Sequence, residues 1–533
     1  MSGRILRKEL LRLVAVLFIG VGLISACAKP SPEAKIPPTL TPTATHMPTP
    51  SPTPTPTLTL VPTASPTPKP TATPTPYVDR TPPEISGLEW QPTRVVNSKV
   101  YDGRVTFEAQ DEGSPIAYAE LNFVPKEYPH LSRAAFPEED PRKLVLKPLD
   151  GAFDELKEEF AVDITDIIGG REYDVVAVVK DKAGNISTAS LKTPYIREFE
   201  NMAPLDDITI AAFYYNWYSP NYYIPRNLPD KPLLGFYNSE DNIVFNRHVD
   251  WATGHRIDVF AFPYPYHNSK YAFTWLEKIF KKNMEAELFG QMKFSFCSTF
   301  VDNTDPHPPY DFDDPKVKQD FIENIEHIKA HYAELPNFWR INGKPVIVTW
   351  STHAYQSESG NVKYAMEAVG SGRDVLLIGE IVGTGKPKFE WYNNVYGLYT
   401  YEPLLSFVDS VWPHAGGKLG TYEVGGVLDE ALETMRGWKQ FVERIGIKYI
   451  PTISPGFDNT YDYRTTNRPS IIVRSPYSFG KFISEVKRDF LDRNPKIIFV
   501  TTLNEWFEGT QIEPSEEEGF AYLEILKEAL AGH

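Results

Sequence analysis

Two glutamates, Glu505 and Glu508, stand three residues apart just past an apolar run at 497–502, in the segment Leu503-Asn504-Glu505-Trp506-Phe507-Glu508-Gly509. Cleaving a glycosidic bond takes such a pair of carboxyl groups, one to protonate the leaving oxygen and one to serve as base or nucleophile. If the chain turns after the apolar run, both side chains reach the same end of the domain. Trp506 and Phe507 beside them would exclude water, a setting that favours the protonated form of a carboxyl group. In an acidic chain most Glu-x-x-Glu pairs are solvated surface groups, and the position directly after a strand sets this one apart.

Such groups need a scaffold that brings strand ends together. From 201 to 533 apolar strands alternate with amphipathic helices, with strands expected over 209–215, 258–262, 293–299, 345–350, 375–380, 395–400, 449–453 and 497–502. Helices between them include 272–282, 315–332, 427–445 and 478–494. This pattern fits an α/β fold, a (β/α)8 TIM barrel with its site on the C-terminal ends of the strands. A doubly wound open sheet is the alternative, but no glycine-rich nucleotide fingerprint follows any strand. The strand ends carry Tyr214, Tyr215 and Trp217, then Tyr264, Tyr266 and His267, then Trp350, Glu380 and Tyr401. Aromatic residues make up 13% of the chain, more than a core needs. The C–H face of a sugar packs on such rings, so all of these except Glu380, together with Asn504 and Trp506, are expected to bind a glycan. His353 is a further residue near a strand end, equally at home as a structural histidine.

The barrel is expected to occupy 199–533, and the residues before it divide into three parts. Arg4, Arg7, Lys8 and Arg12 precede an apolar stretch at 13–23, which at about 11 residues is too short to span a bilayer but suits a signal peptide. It ends in Ile24-Ser25-Ala26-Cys27, which resembles the bacterial lipobox. That implies a lipoprotein signal peptide over 1–26, lipidation of Cys27, and an extracytoplasmic protein anchored to a membrane through lipid. Residues 27–78 form a linker in which about a third of positions are proline and nearly another third threonine, a composition that favours an extended spacer over a core. Over 79–198 short alternating runs such as 105–109, 117–123 and 173–179 are separated by turn residues, the pattern of an all-β sandwich. The strand-to-turn segment Val178-Val179-Lys180-Asp181-Lys182-Ala183-Gly184-Asn185 resembles the closing hairpin of immunoglobulin-like and fibronectin-like modules.

Composition removes several classes of function. A net charge of −16 without a basic patch argues against nucleic acid as a partner. Two cysteines exclude a disulfide framework, a zinc ribbon or an iron–sulfur site, and Cys297, in an apolar run, reads as core. The 11 histidines are scattered with no His-Glu-x-x-His, so no metal and no cofactor are expected. The acidic stretch at 302–314 reads as a solvated loop rather than a calcium site, and no Gly-x-Ser-x-Gly elbow is present.

The segment from Asn504 to Pro514 resembles the signature of glycoside hydrolase family 99, the endo-α-mannosidase and endo-α-mannanase family. Supporting segments in the expected order are Phe213-Tyr214-Tyr215-Asn216-Trp217-Tyr218, Ile257-Asp258-Val259-Phe260-Ala261, Asn342-Gly343-Lys344-Pro345-Val346 and Pro451-Thr452-Ile453-Ser454-Pro455-Gly456. The resemblance implies a retaining, endo-acting hydrolase of an α-linked polysaccharide such as α-mannan, with no enzyme nucleophile. Glu505 would take the proton from the substrate's 2-hydroxyl, whose oxygen attacks C1 to give a 1,2-anhydro sugar, and Glu508 would serve as acid and then base. The chain departs from the family in carrying Phe507 where histidine is usual. It matches the family's arginine-rich segment after the seventh strand only loosely, through Arg468 and Arg474-Ser475-Pro476-Tyr477. Two alternatives stay open, a non-catalytic surface glycan-binding protein and a family-99-like domain of polysaccharide biosynthesis.

Overall fold

The computed structural model describes residues 78–531, apart from 97–99, 206–207, 224–227, 266–271, 300–309, 382–393, 405–420, 459, 461–470 and 492–495. The leader, Cys27 and nearly all of the proline-rich linker therefore lie outside the described residues, as do Tyr266, His267 and Arg468.

Seven antiparallel strands come first: β1 (Glu84–Val96), β2 (Val100–Gln110), β3 (Ile116–Pro125), β4 (Arg142–Leu146), β5 (Lys157–Ile168), β6 (Tyr173–Asp181) and β7 (Ile186–Lys192). They make a three-stranded sheet β1-β2-β5 and a four-stranded sheet β4-β3-β6-β7. Alternation with period two sends Val105, Phe107 and Ala109 of β2 inward, and Tyr173, Val175, Ala177 and Val179 of β6 likewise, into one apolar core shared by both sheets. Phe107 stacks on Phe160 across the β2–β5 register at 4.7 Å, and Trp90 of β1 reaches Phe123 of β3 at 5.5 Å. The Trp90 ring fills the space where Gly103 would carry a Cβ, 1.7 Å away, so this close approach requires glycine.

The barrel follows as β8 (Ile208–Phe213), β9 (Val259–Pro265), β10 (Lys293–Thr299), β11 (Lys344–Thr349), β12 (Leu376–Glu380), β13 (Gly397–Tyr399), β14 (Lys448–Ile450), β15 (Thr452–Ile453) and β16 (Lys496–Val500). All pair in parallel, in the order β14-β13-β12-β11-β10-β9-β8-β16-β15. β14 and β15 are two halves of one strand parted at Pro451. The first half pairs with β13 and the second with β16, so the seventh strand joins both ends of the sheet and the TIM barrel closes on eight strands. Proline has no N–H to give to the ladder, but its carbonyl still accepts the Phe499 N–H at 2.9 Å. The strands read as continuous apolar runs because side chains fill the interior and helices cover the outside.

The covering helices include α1 (Asn242–Gly254), α2 (Ala272–Asn283), α3 (Pro315–His331), α4 (Asn361–Ala368), α5 (Val424–Arg444), α6 (Pro476–Asp489) and α7 (Ala521–Ala531). α1, α3 and α6 start on side-chain caps, from Asp241, Asp314 and Ser475, and proline opens α3 and α6. No described helix is long and apolar enough to cross a membrane.

The all-β module is docked on α1. Tyr128, Phe136, Tyr195 and Phe199 belong to the same apolar cluster as the barrel. Arg247 of α1 pairs with Glu198 at 2.9 Å and sits 5.1 Å from the Phe136 ring, while Tyr195 donates to Asp250 at 3.0 Å. α1 is thus buried on nearly all sides.

Candidate active site

The chain after β16 forms a loop closed upon itself. Thr502 N–H donates to Thr510 O at 2.7 Å, Glu513 N–H to Leu503 O at 2.7 Å, and Glu505 N–H to Thr502 Oγ1 at 2.7 Å. Neighbouring strand ends anchor it. Leu503 N–H donates to Phe213 O at 2.8 Å, Thr501 Oγ1 to Tyr401 O at 2.5 Å, and Asp458 N–H to Glu508 O at 2.7 Å. Gly509 makes the turn at φ 62°, and a Cβ there would come within 3.1 Å of the Asp458 nitrogen. Both carboxylates therefore stand at the C-terminal mouth of the barrel on a loop tied to three other strands.

Glu505 is buried, and its Oε1 accepts from the Tyr218 hydroxyl at 3.1 Å and from Phe507 N–H at 3.1 Å. The Tyr218 oxygen in turn accepts from Trp506 N–H at 3.0 Å, which fixes the phenol in its donating direction. Glu508 Oε2 accepts from the Tyr401 hydroxyl at 3.1 Å, and that hydroxyl lies 2.7 Å from Tyr215 OH. Tyr401 has one proton, so Tyr215 donates to Tyr401 and Tyr401 to Glu508. Burial, reinforced by the nearby charge of Glu505 and, for Tyr215 and Tyr401, of Glu508, pushes all three phenols well above their ordinary pKa. They remain protonated donors throughout the neutral range.

Around this pair the rings form a wall. Trp217 lies 4.3 Å from Tyr215, and Trp350 meets Tyr401 edge-on at 4.4 Å. Phe213, Tyr399 and Phe499, mutually 5.1–5.6 Å apart, close the floor beneath. Glu380, at the end of β12, adds a third carboxylate, itself buried, which accepts from Ser351 N–H at 2.7 Å and lies 3.6 Å from His353 Nδ1. Phe507 packs against Tyr218, Tyr222 and Tyr223, an apolar nest that suits a phenyl ring.

Behind the loop, Glu513 gathers three donors: Trp506 Nε1 at 2.7 Å, Tyr237 OH at 3.0 Å and His248 Nε2 at 2.9 Å. His248 Nδ1 stands 3.0 Å from Tyr214 OH. A neutral imidazole satisfies both contacts when Nε2 carries the proton, an assignment made from the network. Asn504 clamps Tyr215, accepting its N–H at 2.7 Å and donating to its carbonyl at 2.8 Å, and it also donates to Tyr237 OH at 3.2 Å.

Of the residues expected to form the site, the structure brings together Glu505, Glu508, Tyr215, Trp217, Trp350 and Tyr401. Asn504 and Trp506 adjoin them with polar atoms directed into the protein. Tyr214 and Tyr264 lie elsewhere. Strand alternation turns Tyr214 outward to stack on Phe260 at 4.6 Å, whereas Tyr264 packs on Phe296 at 4.3 Å and on Tyr332 at 6.0 Å, under α3. Cys297 is core, its thiol pushed up by burial. Tyr218 and Glu513 escaped the sequence reading. The signal for Tyr218 was its place in the aromatic stretch after the first strand, and for Glu513 its place inside the Asn504–Pro514 segment.

Residues 229–527 match the family described as Glycosyl hydrolase family 99. The chain is 24% identical over 364 residues to glycoprotein endo-α-1,2-mannosidase of Rattus norvegicus, covering 59% of this chain and 69% of that protein. The Mus musculus protein of the same name is 23% identical over 373 residues, with the same coverage. Among solved structures, a family 99 endo-α-mannosidase from Bacteroides thetaiotaomicron aligns over 61% of this chain and 97% of its own, with 19% identity and a TM-score of 0.44.

Proposed function

Since the chain belongs to glycosyl hydrolase family 99 and is a glycoside hydrolase, we propose that it cleaves α-mannosidic bonds within a polysaccharide, with retention, using the substrate's own 2-hydroxyl as nucleophile. The observation that carries this reading is the pair Glu505 and Glu508 on one pinned loop, each held by a buried tyrosine that stays protonated.

Glu505, oriented by Tyr218 and Phe507 N–H, takes the 2-hydroxyl proton. The 2-oxygen bonds to C1 as the C1–O glycosidic bond breaks, and Glu508 gives its proton to the leaving oxygen. Water then attacks C1 of the 1,2-anhydro sugar as the C1–O2 bond breaks, Glu508 takes a proton from that water, and the 2-oxygen regains its own from Glu505. Proximity supplies much of the rate, because the nucleophile is already part of the bound sugar. The aromatic wall of Tyr215, Trp217, Trp350 and Tyr401 offers flat faces for sugar rings. A lipid anchor at Cys27, which would place the enzyme at a cell surface on its proline-rich stalk, belongs to the same proposal.

Digestion of α-mannan by the purified full chain tests it. Oligosaccharides are expected among the first products, and a panel of α-mannans and related α-glycans left intact would refute the reading. Tyr401→Phe removes the donor to Glu508 and interrupts the link from Tyr215. Loss of one hydrogen bond to a charged group corresponds to a fall in kcat/KM of roughly 10- to 100-fold. Initial rates alongside a thermal melt check this, and Tm should change by only a few degrees.

A further inference from the structure

Three buried carboxylates converge in the all-β module, far in sequence from the catalytic loop. Asp79 precedes β1, Asp111 follows β2 and Asp181 ends β6, and each offers an oxygen within 4.8 Å of the others. Their exposures are 7%, 3% and 1%. One oxygen of each is committed to local backbone. Asp79 Oδ1 accepts from Thr81 N–H, Asp111 Oδ1 from Gly113 and Ser114 N–H, and Asp181 Oδ1 from Gly184 and Asn185 N–H. Asp181 Oδ2 also accepts from Asn185 Nδ2 at 2.7 Å. By contrast, Asp79 Oδ2 and Asp111 Oδ2 are fully buried and accept no hydrogen bond. No lysine or arginine among the described residues pairs with any of the three. The gap that admits Asp79 exists because residue 113 is glycine, where a Cβ would lie 2.7 Å from Asp79 Cγ.

Buried carboxylate oxygens without a donor are costly, and neighbouring like charges add repulsion, so this arrangement calls for a counter-charge. The donors are hard oxygens, which suit calcium or magnesium rather than zinc or copper. A buried cage of protein carboxylates favours calcium, because magnesium dehydrates reluctantly and usually keeps several waters. We propose that Asp79, Asp111 and Asp181 bind one calcium ion, with Asp79 Oδ2 and Asp111 Oδ2 as direct ligands. Bound there, the ion ties the chain entering the module to the ends of β2 and β6.

Calorimetric titration of the EDTA-treated full chain with CaCl2 tests the site, with MgCl2 as comparator. One calcium per chain is expected, with weaker magnesium uptake and a Tm that rises by a few degrees in calcium. Asp111→Asn keeps the acceptor for Gly113 and Ser114 but removes a ligand charge. It should abolish uptake and the calcium-dependent Tm rise, while its Tm in EDTA equals or exceeds that of the parent because a repelling charge is gone. Should Asp111→Asn lower the EDTA Tm, Asp79→Asn, which retains the Thr81 contact, gives the same test. The proposal is overturned by no calcium uptake at millimolar concentration, by magnesium binding as tightly as calcium, or by uptake that survives in both variants.

Discussion

Glu505→Gln and Glu508→Gln each lower kcat/KM on α-mannan by about a thousandfold or more, while the melting temperature stays near that of the parent chain. General acid–base groups contribute about 10²- to 10⁴-fold each, and in the proposed mechanism the two act in one concerted step, so neither can compensate for the other. Glutamine keeps the shape and the acceptor oxygen, so Tyr218 OH and Phe507 N–H retain a partner at 505 and Tyr401 OH at 508. Stability is therefore conserved while proton transfer is lost. The two variants also separate by leaving group. An activated leaving group needs no proton, so the deficit of Glu508→Gln narrows on it, whereas that of Glu505→Gln persists. Rates measured on both substrate types check this, and a variant retaining a tenth of the parent activity contradicts the assigned role.

Glu513→Ala is expected to be the most damaging substitution to stability near the site. The carboxylate is fully buried and serves Trp506 Nε1, Tyr237 OH and His248 Nε2 at once. Removing one member of a buried network of this kind costs about 3–5 kcal/mol, because the remaining polar groups stay buried without partners. The same change releases the indole of Trp506 between Glu505 and Glu508, the proposed catalytic pair, so activity falls even in the fraction that remains folded. Glu513→Gln, which keeps volume and one acceptor oxygen, should lie between. Thermal and urea unfolding of the three proteins measure the cost, and a Glu513→Ala variant within about 0.5 kcal/mol of the parent would show that the network contributes little.

These two predictions also mark how far the sequence could be read. Barrel strands were legible because burial on both faces makes them uninterrupted apolar runs, and Glu505, Glu508, Trp350 and Tyr401 could be found by following each run to its end. The seventh strand reads as one segment, yet Pro451 divides it into halves that serve different neighbours. α1 gave no amphipathic signal because the all-β module covers the face that would otherwise meet solvent. Which of Tyr214 and Tyr215 enters the mouth depends on the phase of a two-residue period, and composition does not set that phase. The role of Glu513 and the cluster of aspartates at 79, 111 and 181 were hidden for a different reason. Their partners come from elements distant in the chain, and only the tertiary fold brings them within reach.

The central claim is that Glu505 and Glu508 cleave an α-mannoside through attack by the sugar's own 2-oxygen. Proton NMR of the first products released from α-mannan by the full chain tests it most directly. Two inversions at C1, one by the 2-oxygen and one by water, predict that the new reducing end appears first as the α-anomer and only later mutarotates. A reducing end that forms first as the β-anomer would contradict the account.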